Sequence, residues 1–179
     1  FFFFLTGHGP GPAMITATVA GALRFGRLLS KMDVEGQIYG LLKILSEGLI
    51  KVARGEYWMT MNVLEITRDL SSIKLWFAAG PDVYVIKANG DHEIHNLESS
   101  PLGFENGSYA QVDIKIQTGD RVVLFTDGIV EQQMDNGMAI GQRRWLKIIK
   151  ECKDLSLAES KERIIAGINK AKGNVPMGD

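Results

Sequence analysis

Between Tyr57 and Thr126 the chain is a succession of short alternating segments punctuated by turn residues, and helical periodicity flanks that stretch on both sides. No other feature constrains the fold as tightly. Tyr57, Met59, Met61 and Val63 alternate with Trp58, Thr60 and Asn62. After a turn at 68–72, Ile73, Leu75, Phe77 and Ala79 alternate with Lys74, Trp76 and Ala78. A period of two puts one set of side chains on one face of a strand. Val83 to Ile86 leads into Asn89-Gly90, a hairpin signal because both residues tolerate positive φ. Val112, Ile114 and Ile116 alternate again, and Gly119-Asp120 turns the chain into 121–126. The centre of that last segment, Val122-Val123-Leu124-Phe125, is unbroken apolar, which predicts a strand covered on both faces.

The flanks read as follows. Phe1 to Leu5 is apolar without alternation and predicts a buried strand, broken by Gly7, Gly9, Pro10, Gly11 and Pro12. Ala13 to Leu29 predicts a helix, with Ala13, Ala17 and Ala20 admitting close neighbours. Asp33 can cap a second helix, whose stripe is Val34, Ile38, Leu41, Leu42, Leu45, Leu49 and Val52 and whose stop is Gly55. The stripe faces a core by default; a homodimer seam through helices 13–52 is the alternative. Late in the chain, 143–151 and 157–172 carry helical periodicity, with Asp154 or Ser156 as cap. Gly173 to Asp179 reads as a loop. Helices, then consecutive strands with short links, then helices predict an α+β layered domain with mostly antiparallel sheets.

Composition excludes more than it assigns. The 179 residues carry a net charge of -1, so no global field points to nucleic acid. The densest basic run, Gln142 to Lys147, reads as a solvated helix face. One cysteine, Cys152, allows no internal disulfide, fits a reducing cytoplasmic setting and reads as a small core residue. The apolar start lacks the length and basic flank of a signal peptide or a membrane span. A cytoplasmic protein is expected, free or as the cytoplasmic part of a membrane-tethered one.

Two turns carry candidate chemistry. Thr126-Asp127-Gly128 ends the apolar strand, so Asp127 is held by buried backbone while its carboxylate faces outward. Gly128 would let the chain turn away and leave room for a hard cation such as Mg²⁺ or Mn²⁺. Thr6-Gly7-His8-Gly9 is a glycine-rich strand-to-helix turn. Each is weak alone, since a strand-ending Asp-Gly is more often a plain turn. His8, His92 and His95 have no zinc spacing, and the last two flank a hairpin as surface residues.

In combination the pieces are specific. Thr6 to Met14, Met59-Thr60-Met61, Phe77-Ala78-Ala79-Gly80, Ser100-Pro101-Leu102-Gly103, Gly119 to Glu131 and Ile140-Gly141-Gln142-Arg143 occur in that order. The series resembles the SpoIIE-type bacterial serine/threonine phosphatases, a branch of the metal-dependent type 2C (PPM) protein phosphatases, from about Phe4 to Asp179. The resemblance implies a four-layer α-β-β-α sandwich of two mostly antiparallel sheets over a single domain, 1–179. It also implies a first hairpin lying before Phe1 and a closing strand beyond Asp179. Two Mn²⁺ or Mg²⁺ ions would share a water that attacks phosphoserine or phosphothreonine in line, with no nucleophilic side chain. The expected partners are a phosphorylated STAS-domain anti-sigma antagonist as substrate and a sensor or receiver module in the same longer chain. Helices 13–52 would be the regulatory switch.

Carried over residue by residue, the resemblance makes Asp127 the catalytic metal ligand, Asp179 a further ligand and Leu5 a ligand through its carbonyl. Gly7, His8, Gly9, Thr126 and Gly128 are the motif turns. Pro81 stands after Gly80 where the family often has His. Position 4, where the family has the bridging aspartate, is Phe. A phenyl ring cannot coordinate a cation, and two ions without a bridge repel. Two readings follow: a metal-dependent phosphatase, or a catalytically inactive pseudophosphatase acting as an interaction or scaffold module.

Overall fold

The computed structural model describes the backbone of residues 2–5, residues 13, 16, 17 and 19–21, and residues 37–176. The Gly7-His8-Gly9 turn, Asp33, Val34 and Asp179 lie outside the described residues. The chain packs as two compact units, Phe1–Gly80 with Asn96–Lys115, and Pro81–His95 with Ile116–Asp179.

The first unit is a four-stranded antiparallel sheet of β1 (Phe2–Leu5), β2 (Met59–Ile66), β3 (Ser72–Ala78) and β6 (Ala110–Lys115), in the order β1-β2-β3-β6. Helix α1 (Gln37–Ala53) packs with it. The alternation read from the sequence sets the buried face: Met59, Met61 and Val63 of β2 join Leu42, Leu45, Leu49 and Ala53 of α1 in one cluster. Burying each such aliphatic side chain is worth about 1.5–3 kcal/mol. Ile73, Leu75 and Phe77 of β3 are buried as expected.

Two expectations in this unit change. Val52 is 62% exposed, because it lies at the fringe of the apolar arc and Ala53 takes the core position in the last turn. Ala13 and Ala17 are helical but exposed, whereas Ala20 is half-buried beside the buried Val19, so of the three small residues only Ala20 lies toward the packed side.

α1 is tied to the 100–109 loop at two heights. Ser46 Oγ accepts the Gly103 N–H at 2.9 Å, and Lys43 Nζ donates to the Gly107 carbonyl at 2.6 Å. The Lys43 ammonium also stands 5.6 Å from the ring centroids of both Tyr39 and Tyr109, within cation–π range. Gly103 is required twice over: its φ is +90, and a Cβ there would lie 2.9 Å from the Tyr57 carbonyl oxygen.

The second unit is a three-stranded antiparallel sheet, β5-β4-β7, of β4 (Val83–Ile86), β5 (His92–His95) and β7 (Arg121–Val123). Helices α2 (Asp127–Glu131), α3 (Gly141–Lys150) and α4 (Leu157–Lys172) follow it. All four residues of β4 are fully buried, and Asn89-Gly90 closes the β4–β5 hairpin with Gly90 at φ +93. His92 is exposed and His95 half-buried beside Glu93, as a surface reading requires. Cys152 is buried.

β7 departs from the expectation of a strand covered on both faces. It pairs with β4 alone among the described residues, stops at Val123 and is half-buried. Val122 and Val123 line a cavity of about 720 Å³ with Ile149, Cys152 and Ile164. The side chain of Arg121 anchors the strand instead, donating to the carbonyls of Lys153 and Leu155 and to Ser160 Oγ. Of the two cap candidates, Asp154 and Ser156, it is Ser156 that begins α4, with a reciprocal capping box to Glu159.

Candidate metal-binding turn

Asp127 is presented by the packing of the residue two positions before it. Phe125 is buried between Tyr84, 5.4 Å away ring to ring, and Trp145, 5.2 Å away. Thr126 then adopts an extended N-cap conformation, φ -89 and ψ 149, and α2 starts at Asp127. Side chain 125 points into the core, and Asp127 is exposed.

The carboxylate of Asp127 is oriented locally, its Oδ1 accepting the Gly128 N–H at 2.9 Å. Thr126 holds the turn by backbone alone, its carbonyl accepting the Ile129 N–H at 3.2 Å. The role expected of Gly128 changes here. It sits inside α2, it is not among the positive-φ glycines, and a Cβ would meet Thr126 Oγ1 at an ordinary 3.5 Å. Its contribution is the N–H that steadies Asp127.

The other expected ligands are distributed differently. Leu5 ends β1 opposite Met59, and Phe4 stands opposite Thr60, both in the first unit. Asp127 belongs to the second unit. Among the described residues no group of three or more His, Cys, Asp or Glu could hold an ion. Asp127 fits a hard cation: its carboxylate is exposed and Oδ2 has no protein partner among the described residues. Position 4 does not fit, since the phenylalanine side chain supplies no carboxylate oxygen for a bridge.

A polar cluster follows α2 that the sequence did not signal. Gln132 caps α2, its N–H bonded to the Gly128 carbonyl at 3.1 Å, and its side chain is buried. No motif or periodicity singles it out. In the late helices the basic run is solvated as expected: Arg143, Arg144 and Lys147 are exposed while Trp145 is buried.

Comparison with known proteins bears on the family and the fold. The family model for Stage II sporulation protein E (SpoIIE) matches residues 5–179, across both units. No curated protein matches the chain. Among solved structures, the SiaA-PP2C domain of Pseudomonas aeruginosa is similar with a TM-score of 0.83 at 17% identity, over 99% of this chain and 70% of that one. The catalytic domain of the serine threonine protein phosphatase PstP, in complex with 2 manganese ions, has a TM-score of 0.68 at 13% identity over 96% of this chain and 81% of its own. The phosphatase domain of SpoIIE from Bacillus subtilis, presoaked with Mn, has a TM-score of 0.55 at 14% identity over 92% and 69%. Identities this low establish a shared fold, α+β with two antiparallel sheets and helices. The match to the family model, covering nearly the whole chain, establishes that the chain belongs to the SpoIIE family.

Proposed function

We propose that residues 1–179 form one metal-dependent protein serine/threonine phosphatase domain that hydrolyses phosphoserine or phosphothreonine on a protein partner. The observation that supports it is the exposed carboxylate of Asp127, set at the first turn of α2 just after the buried Phe125 and steadied by the Gly128 N–H. Asp127 would hold Mn²⁺ or Mg²⁺, with Asp179 and the Leu5 carbonyl as further ligands. Such an ion, when bound, polarises phosphoryl oxygens and lowers the pKa of water. The chain's own part is to fix the ligand oxygen in place before the substrate arrives. The Gly7-His8-Gly9 turn and Thr126 shape the surrounding backbone in this reading.

The substrate that the family resemblance supports is a phosphorylated STAS-domain anti-sigma antagonist in bacterial signalling, met in the cytoplasm. Among the described residues no helix is long and apolar enough to cross a membrane. A sensor or receiver module in the same longer chain would regulate the domain through helices 13–52. The exposed Ile44 and Val52 of α1 offer a second copy an apolar contact there. A sedimentation profile that stays monomeric across concentration would rule that pairing out.

A second reading rests on Phe4. With no bridging carboxylate, the same fold serves as a pseudophosphatase, an interaction or scaffold module that engages its partner without hydrolysis. One experiment separates the two. Phosphate release from a phosphorylated protein is measured with Mn²⁺ for the chain itself, for Asp127→Asn and for Phe4→Asp. Release by the chain that Asp127→Asn abolishes supports the first reading, and unchanged turnover in that variant rejects the role of Asp127. No release by the chain, with release gained in Phe4→Asp, supports the second.

A further inference from the structure

A pocket of about 340 Å³ opens between α1 and the segment that precedes β6. Lys43, Glu47 and Ile50 line it from the helix, and Phe104, Glu105 and Tyr109 from the opposite side. Its volume lies at the small end of the range for small-molecule sites.

Two polar groups converge at one end, beside Gly107. The Lys43 ammonium donates to the Gly107 carbonyl at 2.6 Å, and a Cβ at Gly107 would lie 3.4 Å from Tyr109 Oη. Tyr109 is only 9% exposed, and its hydroxyl has no hydrogen-bond partner among the described residues. Ser46 neighbours that hydroxyl without closing a hydrogen bond of standard geometry. Burial raises the Tyr109 pKa above its ordinary value, so the hydroxyl stays protonated at neutral pH and is available as a donor. A buried polar group without a partner is uncommon and costly, and a ligand that pairs with it relieves that cost.

The charges around the pocket are also unmatched. Lys43 keeps two N–H donors beyond the one on Gly107, and its remaining contacts are the rings of Tyr39 and Tyr109. Glu47 stands one helical turn further on, a spacing at which opposite charges can pair, yet it has no ion pair among the described residues. Glu105 has none either among them. Ile50 and the Phe104 ring, which meets the Trp58 ring at 5.9 Å, supply an apolar wall.

We infer that this pocket binds a small zwitterion, an α-amino acid with an apolar side chain. The ligand carboxylate meets the Lys43 ammonium and the Tyr109 hydroxyl, its ammonium meets Glu47 and Glu105, and its side chain lies on Ile50 and Phe104. A simple anion leaves both carboxylates unanswered, and a simple cation leaves Lys43 and Tyr109 unanswered. Side chains one helical turn apart are separated by about 5–6 Å at Cβ, a gap that the adjacent charges of one amino acid can bridge. The inference is independent of Asp127 and of any bound ion, since every residue it uses lies in the first unit.

The test titrates the full chain, free of metal, with L-leucine and L-phenylalanine, followed by calorimetry and by amide NMR. Two analogues of leucine accompany them: isocaproate, which lacks the ammonium, and isoamylamine, which lacks the carboxylate. At least one amino acid should saturate with a Kd of about 1 mM or below, shifting the amides of Glu105 and Gly107. Each analogue should bind about tenfold more weakly than leucine or worse, the loss expected when charge-assisted hydrogen bonds go unmade. Tyr109→Phe, which keeps the ring and removes only the hydroxyl, should weaken binding several-fold. Glu47→Gln combined with Glu105→Gln, both at exposed positions that leave the fold intact, should weaken it about tenfold. No saturable binding by either amino acid, an analogue that binds as tightly as leucine, or full affinity in both substituted proteins overturns the inference. Saturable binding whose shifts spare 104–109 overturns it as well, by placing the ligand elsewhere.

Discussion

Phe125 and Trp145 meet ring to ring at 5.2 Å, and the backbone that Phe125 fixes reaches Asp127 two residues later. The aromatic contact is thus the mechanical support of the exposed carboxylate. Phe125→Ala should destabilise the protein by about 3–5 kcal/mol through the cavity it leaves. A denaturant midpoint shift equivalent to less than about 1 kcal/mol would refute the support role.

Gly103 combines positive φ with a close approach to the Tyr57 carbonyl and to Leu49. Gly103→Ala should cost about 1–3 kcal/mol, from backbone strain and from displacing packed neighbours. Gly137, with φ +76 but open space around it, isolates the first term. Thermal melts of Gly103→Ala and Gly137→Ala should show the larger loss at 103. Equal losses would mean that the crowding contributes nothing.

Acid should loosen the start of α4. The Ser156 hydroxyl, and then the Ser156 N–H, hold the Glu159 carboxyl below its ordinary 4.5. A depressed carboxylate contributes stability above its unfolded pKa, and that contribution is lost as pH falls through the folded value. Melting temperature should therefore decline as pH falls below about 4.5, and Glu159→Gln, which keeps a capping acceptor without titrating, should decline less. Identical pH profiles would show the capping carboxylate to be irrelevant.

Removing the candidate ligand should be felt at the ion first. Asp127→Asn should lower Mn²⁺ affinity by about 100-fold or more, beyond the loss of an outer-shell partner. Phe4→Asp should raise it, by adding a carboxylate where the side chain has no oxygen. Chelation with EDTA should abolish any phosphate release. Release that persists in EDTA would exclude a metal-dependent reaction for this chain.

How much of this was legible beforehand depended on the range of each interaction. The alternation at Met59, Met61 and Val63 identified β2 and its buried face because a period of two is a local property. The cap of α4 was narrowed to Asp154 or Ser156 for the same reason, and Ser156 takes it. The partial cover of Val122 and Val123 is not legible in the sequence because coverage of a strand depends on distant partners, and pairing here ends at Tyr84 with Val123. Ala17 and Val52 failed similarly: which arc of a helix is buried is set by what packs on it. The outward-facing carboxylate of Asp127 was legible because the turn after an apolar run is a local pattern. Gln132 was not, since its bond to Pro176 spans 44 residues and no local pattern marks it.

The two ties between α1 and the 100–109 loop have a mechanical meaning. Ser46 and Lys43 lie on one side of the helix and grip Gly103 and Gly107 at separate levels. Turning α1 about its own axis would break both grips together, whereas carrying the loop along would break neither. Helix and loop therefore behave as one lever, and their amides should lose exchange protection at a common rate when the protein opens.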